Sequence, residues 1–127
     1  MEIRKQAGIA ALINILSLSE DSETVKHCIR ALSILSIDGE NRESIQNGGL
    51  LPVIQCLRSK DVETRRSAMG CLINLSINPT TKEQIRILGG MPEIVKCLSS
   101  TDVETVRYSL RTLCNLSFNG KKRMVFI

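Results

Sequence analysis

The sequence predicts an all-α fold, an α-solenoid of about three stacked units. Three observations carry that expectation. The 127-residue chain repeats itself at a period of 40–41 residues. Within each period, apolar residues recur at helical spacing and not in strand alternation. Hydrophobic residues make up 43% of the chain and aromatic residues only 2%, a composition suited to small units packed closely.

The repeat is legible in three lines of text. "SKDVETRRS" (Ser59–Ser67) returns as "STDVETVRYS" (Ser100–Ser109) and is preceded by "EDSETVKHC" (Glu20–Cys28). "NGGLLPVIQCL" (Asn47–Leu57) returns as "LGGMPEIVKCL" (Leu88–Leu98), with "QAGIAALINIL" (Gln6–Leu16) as a third copy. "ALSILS" (Ala31–Ser36), "CLINLS" (Cys71–Ser76) and "TLCNLS" (Thr112–Ser117) form the third line.

Each element follows from local chemistry. Val103, Val106, Leu110, Leu113 and Leu116 fall on one helical face. Met69, Leu72 and Leu75 repeat that stripe in the second copy, and Val25, Ile29, Leu32 and Leu35 in the first. These helices are expected to bury the stripe. Asp21, Asp61 and Asp102 stand where a side-chain oxygen can accept from a free N–H of the first turn. Glu23, Glu63 and Glu104 then suit the positive end of the helix dipole. Short helices are expected over "NRESIQ" (Asn41–Gln46) and "TKEQIRIL" (Thr81–Leu88), ended by Gly48-Gly49 and Gly89-Gly90. A further helix follows each glycine pair, with Pro52 and Pro92 in its first turn, where a missing N–H costs nothing.

A period of this length excludes ankyrin and tetratricopeptide units. Three helices per unit, the first short and followed by Gly-Gly, separate it from the two-helix HEAT unit. Through "ENRESIQNGGLLPVIQCL", "KEQIRILGGMPEIVKCL", "CLINLS" and "TLCNLS", the chain resembles the armadillo repeat family over its whole length. The wording is similar to that of vacuolar armadillo proteins of fungi, plant U-box armadillo proteins and catenins. The expected units are 8–48, 49–89 and 90–127, with 1–7 as the tail of a preceding repeat. "GKKRMVFI" (Gly120–Ile127) reads as the start of a fourth. Met124, Val125, Phe126 and Ile127 are too apolar for a cap, so the chain is expected to be part of a longer array.

The resemblance implies a right-handed armadillo-type α-solenoid with a concave groove lined by the third helix of each unit, where an Asn bonds the backbone of an extended peptide. The matching positions are Asn74 and Asn115, with Ile34 in the first copy. Helical geometry puts Ser67, Gly70 and Asn74 on one stripe, Tyr108, Arg111 and Asn115 on the next, and His27, Arg30 and Ile34 on the first. The alternative is that each Asn satisfies a carbonyl of the neighbouring repeat. Importin-α-like grooves place Trp four residues before the Asn, but Arg30, Gly70 and Arg111 stand there. Arg30, Arg66, Arg107 and Arg111, with Lys26 nearby, resemble catenin-like grooves that take acidic extended partners. An ordinary solvated helix face is the alternative for these bases.

Other chemistries find little support. Cys28, Cys56, Cys71, Cys97 and Cys114 make no C-x-x-C pair and read as small buried hydrophobes in a reducing compartment. No metal site or cofactor is expected. His27, the single histidine, has no evident acid or nucleophile partner, and no catalytic or phosphate-binding motif is present, so no enzyme is expected. The net charge of +4 is mild, and stacking aromatics are nearly missing, so no nucleic-acid partner is expected. No apolar run reaches the length of a membrane span, so no direct membrane insertion is expected. The expected function is a protein–protein interaction scaffold or adaptor holding an extended acidic segment in the groove. The alternative is a substrate-recognition or regulatory arm of a larger enzyme such as a U-box ubiquitin ligase. A nuclear-import adaptor ranks third, because the Trp positions are lost. The expected location is cytoplasmic, or nuclear or membrane-peripheral through segments outside this chain.

Overall fold

The computed structural model describes residues 3–117. They form α1 (Ile3–Leu18), α2 (Ser22–Leu35), α3 (Gly39–Cys56), α4 (Val62–Leu75), α5 (Thr81–Ile87), α6 (Gly90–Lys96) and α7 (Val103–Ser117), with a 3-10 turn over Cys97–Ser99. Among the described residues there is no strand. The expected fourth-repeat start at Gly120–Ile127 lies outside them.

The third helices begin as their sequence demands. Asp21, Asp61 and Asp102 accept from the backbone N–H of Thr24, Thr64 and Thr105 at 2.9, 2.9 and 3.0 Å. The same three threonine hydroxyls donate to the capping carboxylates at 2.6, 2.8 and 2.7 Å. Ser19, Ser59 and Ser100 hydroxyls accept from the N–H of the capping aspartates at 3.2, 3.1 and 3.1 Å. The motif S-x-D-x-x-T therefore fixes where the chain enters each third helix, three times over.

The corners are made by glycine. Gly48 and Gly89 adopt φ of 86° and 73°, the left-handed region that a Cβ disfavours. Gly48 and Asn47 kink α3 into a short limb and a longer one, and Gly89 separates α5 from α6. One repeat earlier, Ala7 takes the place of these glycines, and α1 runs unbroken from Ile3 to Leu18. The expected boundary after Ala7 therefore carries no corner, because alanine resists the left-handed turn that the corner needs. The second glycine of the pair answers a different constraint. A Cβ on Gly90 would lie 2.8 Å from Ile54 Cδ1 and 2.9 Å from Ile85 Cγ2.

Packing runs in sequence along the array: α2 against α4, α4 against α7, and α1 against α3. Ile29, Leu32, Met69, Leu72 and Leu75 are fully buried. The expected stripe fails only in α7, where Val103 is 60% and Leu110 53% exposed. α7 buries Leu116 of that stripe together with Thr105, Ser109 and Thr112, and the Ser109 hydroxyl donates to the Ile94 carbonyl at 2.8 Å. The part of the stripe around Leu110 is thus the face each third helix offers to the following unit. α4 covers it on α2 and α7 covers it on α4, and no later helix follows among the described residues. Four cysteines are buried as expected, but Cys114 is exposed. Burial pushes the Cys56 and Cys71 thiols up to about 12, which leaves them protonated and inert at neutral pH.

Gly90→Ala should destabilise the protein by ~1–3 kcal/mol through overpacking against Ile54 and Ile85, measured as a lowered urea midpoint. The caps predict acid sensitivity. Hydrogen bonds from Thr24 and Thr64 hold Asp21 and Asp61 below their ordinary value. Pairing with Arg66, then the Thr105 bond, holds Asp102 well below the usual carboxylate range. A folded-state value below the unfolded one of about 3.9 means stability present above that pH and lost as pH falls through the folded value. Urea midpoints should therefore decline below about pH 4, and Asp102→Asn should make that decline shallower.

Candidate functional site

The third helices α2, α4 and α7 lie side by side, and their outer stripes enclose a cleft of about 500 Å³. Arg30, Ser33 and Ile34 line it from α2, Glu63, Arg66 and Ser67 from α4, and Tyr108 from α7. Of the residues expected in the groove, the structure brings Arg30, Arg66, Ser67 and Tyr108 to this cleft. His27 stands outside it, exposed, with Nε2 3.8 Å from Glu23. Arg107 is also outside it and pairs with Glu104 of its own helix at 3.0 Å. Gly70 is buried and Arg111 half-buried, and neither lines the cleft.

The asparagines are placed by the repeat interface. Asn74 is fully buried, and its Nδ2 donates to the Ser36 hydroxyl at 2.9 Å. Ser36 in turn donates to the Ser33 carbonyl at 2.6 Å. Asn115 is 2% exposed, and its Nδ2 donates to the Ile73 carbonyl at 3.1 Å. That carbonyl also accepts from the Ser76 hydroxyl at 2.6 Å. Each carboxamide therefore reaches across to the C-terminal turn of the preceding third helix. The serine of the same N-L-S line caps that turn and, in the first copy, presents the acceptor. Ile34 occupies the asparagine position on α2 and is 61% exposed to the cleft.

Charge in the cleft is largely spoken for. Arg66 Nε donates to Asp102 Oδ2 at 2.8 Å, and a second bond reaches Asp102 Oδ1. One repeat earlier, Lys26 lies 3.8 Å from Glu63 and 3.3 Å from Glu23. Sequence reasoning named the bases but missed Glu63, Asp102 and Ser33. The signal was present: Lys26, Arg66 and Arg107 share one repeat position, and the acids recur one unit downstream. Elsewhere on the array, the largely buried Glu93 lies 3.3 Å from Arg58 and 3.5 Å from Lys96. Gln46 joins the short limb of α3 to Thr80, Thr81 and Gln84 at 3.2, 3.0 and 3.0 Å. Among the described residues no group of three or more His, Cys, Asp or Glu could hold a metal ion. No helix among them is long and apolar enough to cross a membrane.

Short capped helices, glycine corners and third helices stacked around a concave cleft define a repeat solenoid. Residues 78–118, one full period opening just ahead of α5, match the Armadillo/beta-catenin-like repeat. Those residues match an armadillo repeat, and the fold of the chain is that of armadillo repeat proteins. It is 31% identical over 85 residues to U-box domain-containing protein 12 of Arabidopsis thaliana, covering 65% of this chain and 13% of that protein. It is 39% identical over 87 residues to U-box domain-containing protein 10 of the same plant, covering 65% and 14%. The chain thus spans about one seventh of the length of the curated relatives it matches. A designed armadillo repeat protein in complex with peptide (KR)4 shares the fold at a TM-score of 0.78, with 18% identity and coverage of 87% of this chain and 47% of that one.

Because Asn74 is buried and bonded across the repeat interface, Asn74→Ala should lower stability by ~1–3 kcal/mol with no ligand present. Asn115→Ala should do the same. Urea unfolding of both variants checks this, and an asparagine serving only a ligand would leave the midpoint unchanged.

Proposed function

We propose that this chain is a protein-binding scaffold that holds an extended, acidic segment of a partner in its concave groove. The observation that carries the reading is the cleft across α2, α4 and α7, open to solvent and bearing the exposed guanidinium of Arg30. A guanidinium pairs with a carboxylate through two parallel bonds, which orients the partner as well as attracting it. Ser67 and Ser33 offer hydroxyls beside it, and Tyr108 offers a flat apolar face. Asn74 and Asn115 support this groove from beneath, by fixing the spacing of its walls. Five free cysteines suit a reducing compartment, in keeping with a cytoplasmic location.

A second reading is favoured by the relatives. Both curated proteins are U-box domain-containing and far longer than this chain. The same groove would then serve as the substrate-recognition arm of a larger ubiquitin ligase. A nuclear-import adaptor is the weakest of the three, since Arg30, Gly70 and Arg111 stand where aromatic slots for basic signals would be. Titration calorimetry with extended dodecapeptides matched in apolar content but acidic, neutral or basic tests the groove reading. The acidic peptide should bind best and weaken as salt is raised, and Arg30→Glu should abolish that preference. Equal or tighter binding of the basic peptide would overturn it.

A further inference from the structure

We propose that the groove selects a single carboxylate beside an aliphatic side chain, and not a run of acids. This refines the preceding reading and rests on it.

The argument begins with charge. Of the bases on or near the groove, Arg66 is held by Asp102, Arg107 by Glu104, and Lys26 by Glu23 and Glu63. Arg30 alone among the cleft-lining bases has no hydrogen-bond or ion-pair partner among the described residues. A second ligand carboxylate would have to compete with Asp102, which already meets Arg66 through two bonds and caps α7 through Thr105. It would also meet Glu63 on the cleft wall. The cleft therefore has one vacancy for negative charge and offers no further free base to a dense acidic run.

The second half of the argument is Ile34. The second and third copies place a carboxamide at this position, and the first places an apolar side chain that is 61% exposed inside the cleft. Ile34 follows Arg30 by one helical turn, so their Cβ atoms lie ~6 Å apart. Alternate side chains of an extended strand are separated by about the same distance. A partner with an aliphatic residue two positions from an Asp or Glu can meet both side chains at once. Tyr108 closes the opposite wall. The fit is specific to the first step of the array, because Asn74 and Asn115 are buried at the equivalent positions.

The test is selection of random dodecapeptides displayed on phage against the whole chain, followed by titration of the enriched sequences. Enriched peptides should carry an aliphatic residue two positions from one carboxylate. Ile34→Asn should cost the best peptide about tenfold in affinity and erase the aliphatic preference. Arg30→Gln should cost about tenfold, erase the carboxylate preference and remove the salt dependence. Both residues are exposed, so thermal melts should match the parent. Enrichment of acid-rich peptides indifferent to Ile34→Asn would overturn this inference and leave the acidic-groove reading standing. Enriched peptides indifferent to both substitutions, or no enrichment, would overturn both.

Discussion

The structure depends on one constraint: each third helix must bury the remainder of its apolar stripe against the next unit, since on α7 Leu116 is buried but Val103 and Leu110 are left exposed. α4 meets that constraint on both sides. It lies between α2 and α7, and Ala68 through Ser76 are all buried. Burial of that extent leaves no room for an unpaired polar group, which is why the carboxamides and hydroxyls in the N-L-S line are spent on one another and on helix-end carbonyls. The capping aspartates and glycine corners serve the same end. They set the start and direction of each helix so that its stripe meets its neighbour in register.

Features that depend on residues close in sequence were legible before the structure. The period, the Asp caps, the glycine breaks and the apolar stripe each arise within one unit, where backbone chemistry leaves few choices. Features that depend on a neighbouring unit were not. Val103 and Leu110 read as core because they share a helical stripe with Leu113 and Leu116, and Leu110 matches the buried Met69 one period earlier, yet burial of that part of the face comes from the following unit. Cys114 was misplaced in the same way: like Val103, it lies on the terminal described helix. Ala7 shows the opposite case, in which a methyl stands in place of the corner glycine's hydrogen and the helix runs on unbroken.

The candidate site was half legible. The stripe holding Arg30, Ser67 and Tyr108 followed from helical geometry, and those side chains do meet at one cleft. The charge balance did not follow, because Asp102 reaches Arg66 from 36 residues away and serves as helix cap and counter-ion at once. Counting bases in the sequence therefore overstated the positive field. The exposed Ile34 was visible as a departure from the repeat, but its meaning came only with its placement in the cleft.

The cross-unit bonds of the two asparagines differ in their acceptor. Asn74 donates to the hydroxyl of Ser36, whereas Asn115 donates to the main-chain carbonyl of Ile73, which any residue type supplies. The Asn115 bond itself places no demand on the identity of its neighbour's side chain, although the same junction also carries the Arg66–Asp102 pair. Recombination that inserts or deletes a whole unit there leaves the bond intact. Such an array can change length over evolutionary time without redesigning its seams, and variation can collect on the cleft wall while the joints stay fixed.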